Sequence, residues 1–159
     1  FMIEKKILKL IKFGQIDSAQ ELINSLNNKS PKILNLQGLI YFKKNEFLKA
    51  ITLFNQSINL DKNFTEPLVN LGIIYLNEKK FDLAKSKFND ALKINQSLGI
   101  CYFYLGQIAS NLEQDTMLAE KYFLDSVKND SKNINYLNNL GLFYFNNSRF
   151  LDAIKIFEK

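Results

Sequence analysis

A beat of about 34 residues constrains this chain more than any other feature. Gly38, Gly72, Gly106 and Gly141 stand 34, 34 and 35 residues apart, and Ala19, Ala50, Ala84, Ala119 and Ala153 follow at steps of 31, 34, 35 and 34. Aromatic residues keep the same time. Tyr41, Tyr75 and Tyr144 come three residues after a glycine, and Phe54, Phe88, Phe123 and Phe157 come four after an alanine. The stretch from Leu34 to Asp61 thereby returns as Leu68 to Asn95. A unit this short cannot bury its own apolar face, so successive units must stack on one another.

Spacing within the unit is helical. Leu34, Gly38 and Tyr41 fall on one stripe, as do Phe47, Ala50, Ile51, Phe54, Ser57 and Ile58, because steps of three and four return to the same face. The intervening Lys-Lys-Asn-Glu is a polar turn. Gly and Ala sit where two helices approach closely, with Tyr or Phe filling the space beside them. Ser30 before Pro31 is a helix start, with Ser as N-cap and Pro at the first position, and Thr65 and Ser97 are expected to serve the same way. These spacings predict helix pairs at 2–13 and 16–27, 31–44 and 47–60, 65–78 and 81–94, 98–112 and 116–129, 134–147 and 150–159. One extra residue lies between Ala109 and Ala119.

The pattern resembles the tetratricopeptide repeat family. Leu68, Leu71-Gly72, Tyr75, Ala84, Phe88 and Ala91 match its large residue, Leu-Gly, aromatic, Ala, aromatic and small residue in order. Departures are Gln37 for Leu, Ala109 for Tyr, Ser57 and Ser126 for the second Ala, and Ile7 in place of the first glycine. The resemblance implies an all-α fold, a right-handed superhelical solenoid of antiparallel helix pairs with about five repeats, the last one truncated. It divides one array over 1–159 into units at approximately 1–30, 31–64, 65–98, 99–133 and 134–159. Ile154, Ile156 and Phe157 are then expected to be only partly covered, so that the last repeat frays or self-associates, and the chain reads as a piece of a longer array.

Chemistry has few candidates. Histidine is absent and Cys101 is the only cysteine, which removes the commonest general base, metal ligands and thiol constellations. Glu46, Asp82, Asp115, Glu120 and Asp152 mostly fall in turns or first turns, where a solvated acid favours the helix dipole. Neither a catalytic residue, a cofactor nor a metal is expected. The net charge of +5 permits polyanion binding, but the lysines are spread along the sequence and Arg149 is the only arginine, which argues against nucleic acid. The opening segment is interrupted by Lys5, Lys6, Lys9 and Lys12, so it reads as an amphipathic helix rather than a membrane span or signal, and a cytoplasmic location is expected.

A second stripe on the first helices needs its own explanation. In the unit from Pro31 it holds Lys32, Asn35, Leu39 and Phe42, turned about 120° from the packing stripe. The resemblance places this stripe on the inner, concave face. It assigns to a partner groove Leu8 and Ile11, Leu39 and Phe42, Val69, Asn70, Ile73 and Leu76, Phe103, Gln107 and Ser110, and Asn139, Leu142 and Phe145. Three readings remain open: an apolar partner surface, side chains partly covered by a tight superhelix, or a compositional bias that places Phe and Ile throughout the chain. The family's cationic clamp for terminal carboxylates is not met, because Glu4, Asn35, Val69, Ile100 and Tyr104 stand at its positions. Its row of asparagines is matched by Asn70 and Asn139 and broken by Leu36 and Tyr104. The expected function is a non-catalytic scaffold binding a peptide or adjacent domain. The alternatives are the recognition arm of a glycosyl-, sulfo- or methyltransferase whose chemistry lies elsewhere, and a structural self-assembling array.

Overall fold

The computed structural model describes residues 2–26 and 29–158, and these are helical with no strand among them. The helices are α1 (Met2–Lys12), α2 (Ile16–Asn24), α3 (Pro31–Lys43), α4 (Phe47–Leu60), α5 (Glu66–Asn77), α6 (Phe81–Ile94), α7 (Gly99–Ile108), α8 (Thr116–Asn129), α9 (Ile134–Asn146) and α10 (Phe150–Phe157). A π-helical turn, Ala109–Glu113, continues α7. The expected pairs are present with ends moved by a few residues.

Turn chemistry explains the regularity of the hairpins. Gly14, Asn45, Lys79, Gln114 and Ser148 all have positive φ, and they repeat at the alanine steps of 31, 34, 35 and 34. After four of the five first helices, the carbonyls of Leu10, Tyr41, Tyr75 and Tyr144 accept the N–H five residues on, at 2.9, 2.9, 2.8 and 2.9 Å. This is the Schellman closure of a helix end. In the remaining hairpin the Ala109 carbonyl accepts from Asp115, six residues on, at 3.0 Å. The extra residue is therefore absorbed by the π turn, which holds one more residue than an α turn without rotating the helices on either side. Deleting the exposed Asn111 is expected to restore an α turn and change stability by less than about 0.5 kcal/mol. Deleting Asn138 inside α9 rotates all that follows by about 100° and is expected to abolish folding of residues 88–159. Thermal unfolding followed by circular dichroism checks both, and equal effects would contradict the assigned register.

Caps are mixed. Ser30 Oγ accepts the Ile33 N–H at 3.3 Å and Asp115 Oδ1 accepts that of Leu118 at 3.0 Å. Thr65 holds the N-cap position of α5, but its backbone is already helical (φ −82°, ψ −28°), and its hydroxyl donates to Glu66 Oε2 at 3.4 Å instead of capping. Ser97 is not a cap. Leu98 precedes α7, and the Ser97 N–H is turned back to Asn95 Oδ1 at 2.9 Å.

The chain forms two compact units, residues 1–87 and 88–159, and the division falls inside α6. In the first unit, Ile7 and Ile11 of α1, Ala19 and Ile23 of α2, and Ile33, Leu36 and Ile40 of α3 make one core cluster. Ala50 and Phe54 of α4 with Leu71 and Ile74 of α5 make another. In the second unit, Ala119 and Phe123 of α8 pack with Leu140, Phe143 and Tyr144 of α9 and with Ala153 and Ile156 of α10.

The departures from the repeat pattern have physical answers. Gly38 is required because a Cβ there would stand 2.5 Å from the Phe54 ring. The first repeat replaces that Gly–Phe contact with Ile7 and Ile23, both buried, so volume removed from one helix is returned on the other. Ser57 and Ser126 are tolerated without exposure because their hydroxyls donate to the carbonyls of Pro31 and Phe123, each at 2.7 Å. Ile156 is buried, whereas Ile154 and Phe157 are each 51% exposed, so the expectation for α10 holds for two of the three side chains.

Candidate functional site

In the first unit, α1, α3 and α5 bound a groove of about 340 Å³. Leu8, Leu36, Leu39 and Phe64 give it an apolar lining, and Glu4, Lys5, Lys32 and Glu66 supply charges of both signs. Asn35 and Asn70 also line it. Asn70 Nδ2 donates to Asn35 Oδ1 at 2.9 Å, tying α3 to α5.

Of the residues expected here, Leu39 and Asn70 line the groove and are half-buried. Phe42 is half-buried, its ring 5.8 Å from Phe47, and it packs on the Phe54 cluster, so it belongs partly to the core. Ile73 and Leu76 are half-buried on α5, and Val69 is buried at 8% exposure. Ile11 is a core residue at 4% exposure, because it shares the Ile7 face of α1. Phe64 is an addition to the expected set: it enters from the loop before α5, where helical spacing gives no signal.

In the second unit, Phe103 and Gln107 on α7 meet residues of α9. The Phe103 ring lies 5.3 Å from that of Tyr136, and Gln107 Nε2 donates to Asn139 Oδ1 at 3.5 Å. Ser110 is half-buried within the π turn. Leu142 and Phe145 are 51% and 55% exposed, and the Phe145 ring lies 5.4 Å from Phe150. Asn139 also donates to the Asn135 carbonyl at 2.8 Å. Thus Asn70 and Asn139, the two that match the asparagine row, each already make side-chain hydrogen bonds within the protein.

Among the described residues no group of three or more His, Cys, Asp or Glu side chains is arranged to hold a metal ion. Cys101 is buried, and burial pushes its thiol up to about 12, so it stays a protonated packing residue at neutral pH. Glu120 is not the solvated helix-dipole acid that its place in the sequence suggests. It accepts from Arg149 at 2.7 Å and from the Tyr144 hydroxyl at 3.0 Å, while Arg149 reaches Asp152 at 2.8 Å and lies 4.4 Å from the Tyr144 ring centroid. Burial, then the bond to Glu120, pushes the Tyr144 phenol up to about 12. The group fastens the α9–α10 turn to α8. No helix among the described residues is long and apolar enough to cross a membrane.

Comparison with known proteins agrees with this architecture. The sequence profile described as Tetratricopeptide repeat matches residues 31–64 and 65–98. A BBSome complex member BBS4 homolog of Drosophila melanogaster is 29% identical over 103 residues, covering 63% of this chain and 21% of that protein. BBSome complex member BBS4 of Bos taurus is 32% identical over 95 residues, covering 60% and 18%. The matched part therefore spans about a fifth of these relatives. Among solved structures, Pseudomonas aeruginosa PilF superposes with a TM-score of 0.84 at 12% identity, over 99% of this chain and 72% of that one. Cut9 bound to Hcn1, from an APC/C hetero-tetramer, gives 0.81 at 22% identity, over 96% and 29%. At these identities the structural likeness speaks for the fold. Residues 31–98 belong to the tetratricopeptide repeat family, and the helix hairpins before and after them continue the same fold.

Proposed function

We propose that this chain is a non-catalytic protein-interaction scaffold whose α1–α3–α5 groove receives an apolar segment of a partner, helical or extended. The observation that carries the reading is the groove itself: apolar Leu8, Leu36, Leu39 and Phe64 line it together with charges of both signs. An amphipathic segment fits such a surface, its apolar face inward and its polar face to water. Phe42, Ile73 and Leu76 extend this face within the first unit. In the second unit Phe103, Gln107, Asn139, Leu142 and Phe145 hold the corresponding repeat positions on α7 and α9 and serve the same role. The similarity to proteins described as BBSome complex members supports a place inside a multi-protein assembly.

Photocrosslinking tests the face. Leu8 lines the groove and is 36% exposed, while Leu48 on α4 is 81% exposed away from it. A photoreactive residue at Leu8 is expected to capture a discrete protein from extract that one at Leu48 does not. Capture from Leu48 alone, or equally from both, would move the partner surface elsewhere.

A further inference from the structure

The basic face of α1 is a second surface, which shares only Lys5 with the groove. Ile7 and Ile11 turn into the core at 0% and 4% exposure. At about 100° per residue, Met2, Lys5, Lys6, Lys9, Lys12 and Phe13 share an arc of about 120° on the opposite side. All six are exposed, Met2 at 88% and Phe13 at 72%, and Lys9 Nζ lies 5.9 Å from the Phe13 ring centroid. The four lysines against Glu4 give this one helix three of the chain's five net positive charges.

The repeat argues against an apolar hairpin of the same kind on this face. With Ile7 at the glycine position, Lys6 and Lys9 occupy the places that Leu71 and Ile74 hold in α5, and Leu140 and Phe143 in α9. Those residues pack on the preceding helix pair, Leu71 and Ile74 on Ala50 and Phe54, Leu140 and Phe143 on Ala119 and Phe123. Burying two lysines in such a seam without counter-charges is prohibitive. What covers this face must supply negative charge and also accept two apolar side chains.

The geometry points to an anionic lipid surface as the occupant: α1 lies in the headgroup plane, its lysines against phosphates, with Met2 and Phe13 entering the acyl boundary. A nucleic acid is the poorer fit. The face has no arginine, the single one being held by Glu120 and Asp152, and phosphate contact alone leaves Met2 and Phe13 uncovered.

Co-sedimentation with phosphatidylcholine vesicles, with and without phosphatidylserine, tests this in low and physiological salt. Binding is expected only to the phosphatidylserine vesicles and to weaken with salt. It should fall about 100-fold in the Lys6→Gln/Lys9→Gln/Lys12→Gln variant, from roughly one kcal/mol per lysine, and about tenfold in Phe13→Ser. Circular dichroism of both variants should match the parent, since every altered side chain is exposed. Absence of binding, equal binding by the triple variant, or salt-sensitive retention of single-stranded RNA without vesicle binding would overturn the proposal. Undiminished binding by Phe13→Ser would overturn the in-plane seating.

Discussion

Phe54→Ala is expected to lower stability by about 3–5 kcal/mol, a large share of what a folded domain has to lose. Phe54 is fully buried, packs with Ala50, Leu71 and Ile74, and lies against Gly38. Removing the ring leaves a cavity between α3, α4 and α5 that backbone on three sides prevents from collapsing. The reciprocal change separates packing from mere hydrophobicity. A Cβ at Gly38 would stand 2.5 Å from the Phe54 ring and one at Gly141 would stand 2.5 Å from the Phe157 ring, so the local clash is the same. Phe54 has nowhere to go, whereas Phe157 is 51% exposed and its ring can swing toward solvent. Gly38→Ala should therefore cost about 1–3 kcal/mol, and Gly141→Ala less than about 1 kcal/mol. Urea denaturation of the three variants checks the set. Equal midpoints for the two glycine variants, or an unshifted Phe54→Ala, would mean that the packing stripe is misassigned.

That stripe was legible because the repeat writes each contact several times. A glycine facing a ring four residues after an alanine specifies one inter-helix distance, and its recurrence makes chance agreement improbable. The substitution of Ile7 and Ile23 for that pair hides in the sequence, since only their facing positions reveal the volume exchange. The extra residue between Ala109 and Ala119 was countable, but spacing alone leaves open whether a loop or a helix absorbs it. The answer is the hydrogen bond from Asp115 to Ala109. Local capping was less legible: Ser97 and Thr65 have the right side chains, and backbone geometry decides against both.

The groove of the first unit was partly legible. Helical phase identifies Leu39 and Asn70, but it carries no information about a side chain arriving from a loop, as Phe64 does, or about how deeply Phe42 sinks into the core. Charge told less still. Helical phase puts the α1 lysines on one side, and the burial of Ile7 and Ile11 shows that this side faces away from the core.

Because Phe42 and Phe103 pack against neighbouring rings, a substitution at either perturbs fold and surface together. Leu8, 36% exposed, and Phe64 and Ile73, half-buried, all in the first unit, separate the two better. Each apolar side chain buried in a complex contributes about 1.5–3 kcal/mol, so changing all three to Ser should weaken binding by more than about 100-fold. The scaffold role is tested most directly by titration calorimetry of the partner captured from Leu8 against this triple variant and the parent, with circular dichroism alongside. Loss of measurable binding with helical content retained is the expected result. Unchanged affinity in a folded triple variant would contradict the role.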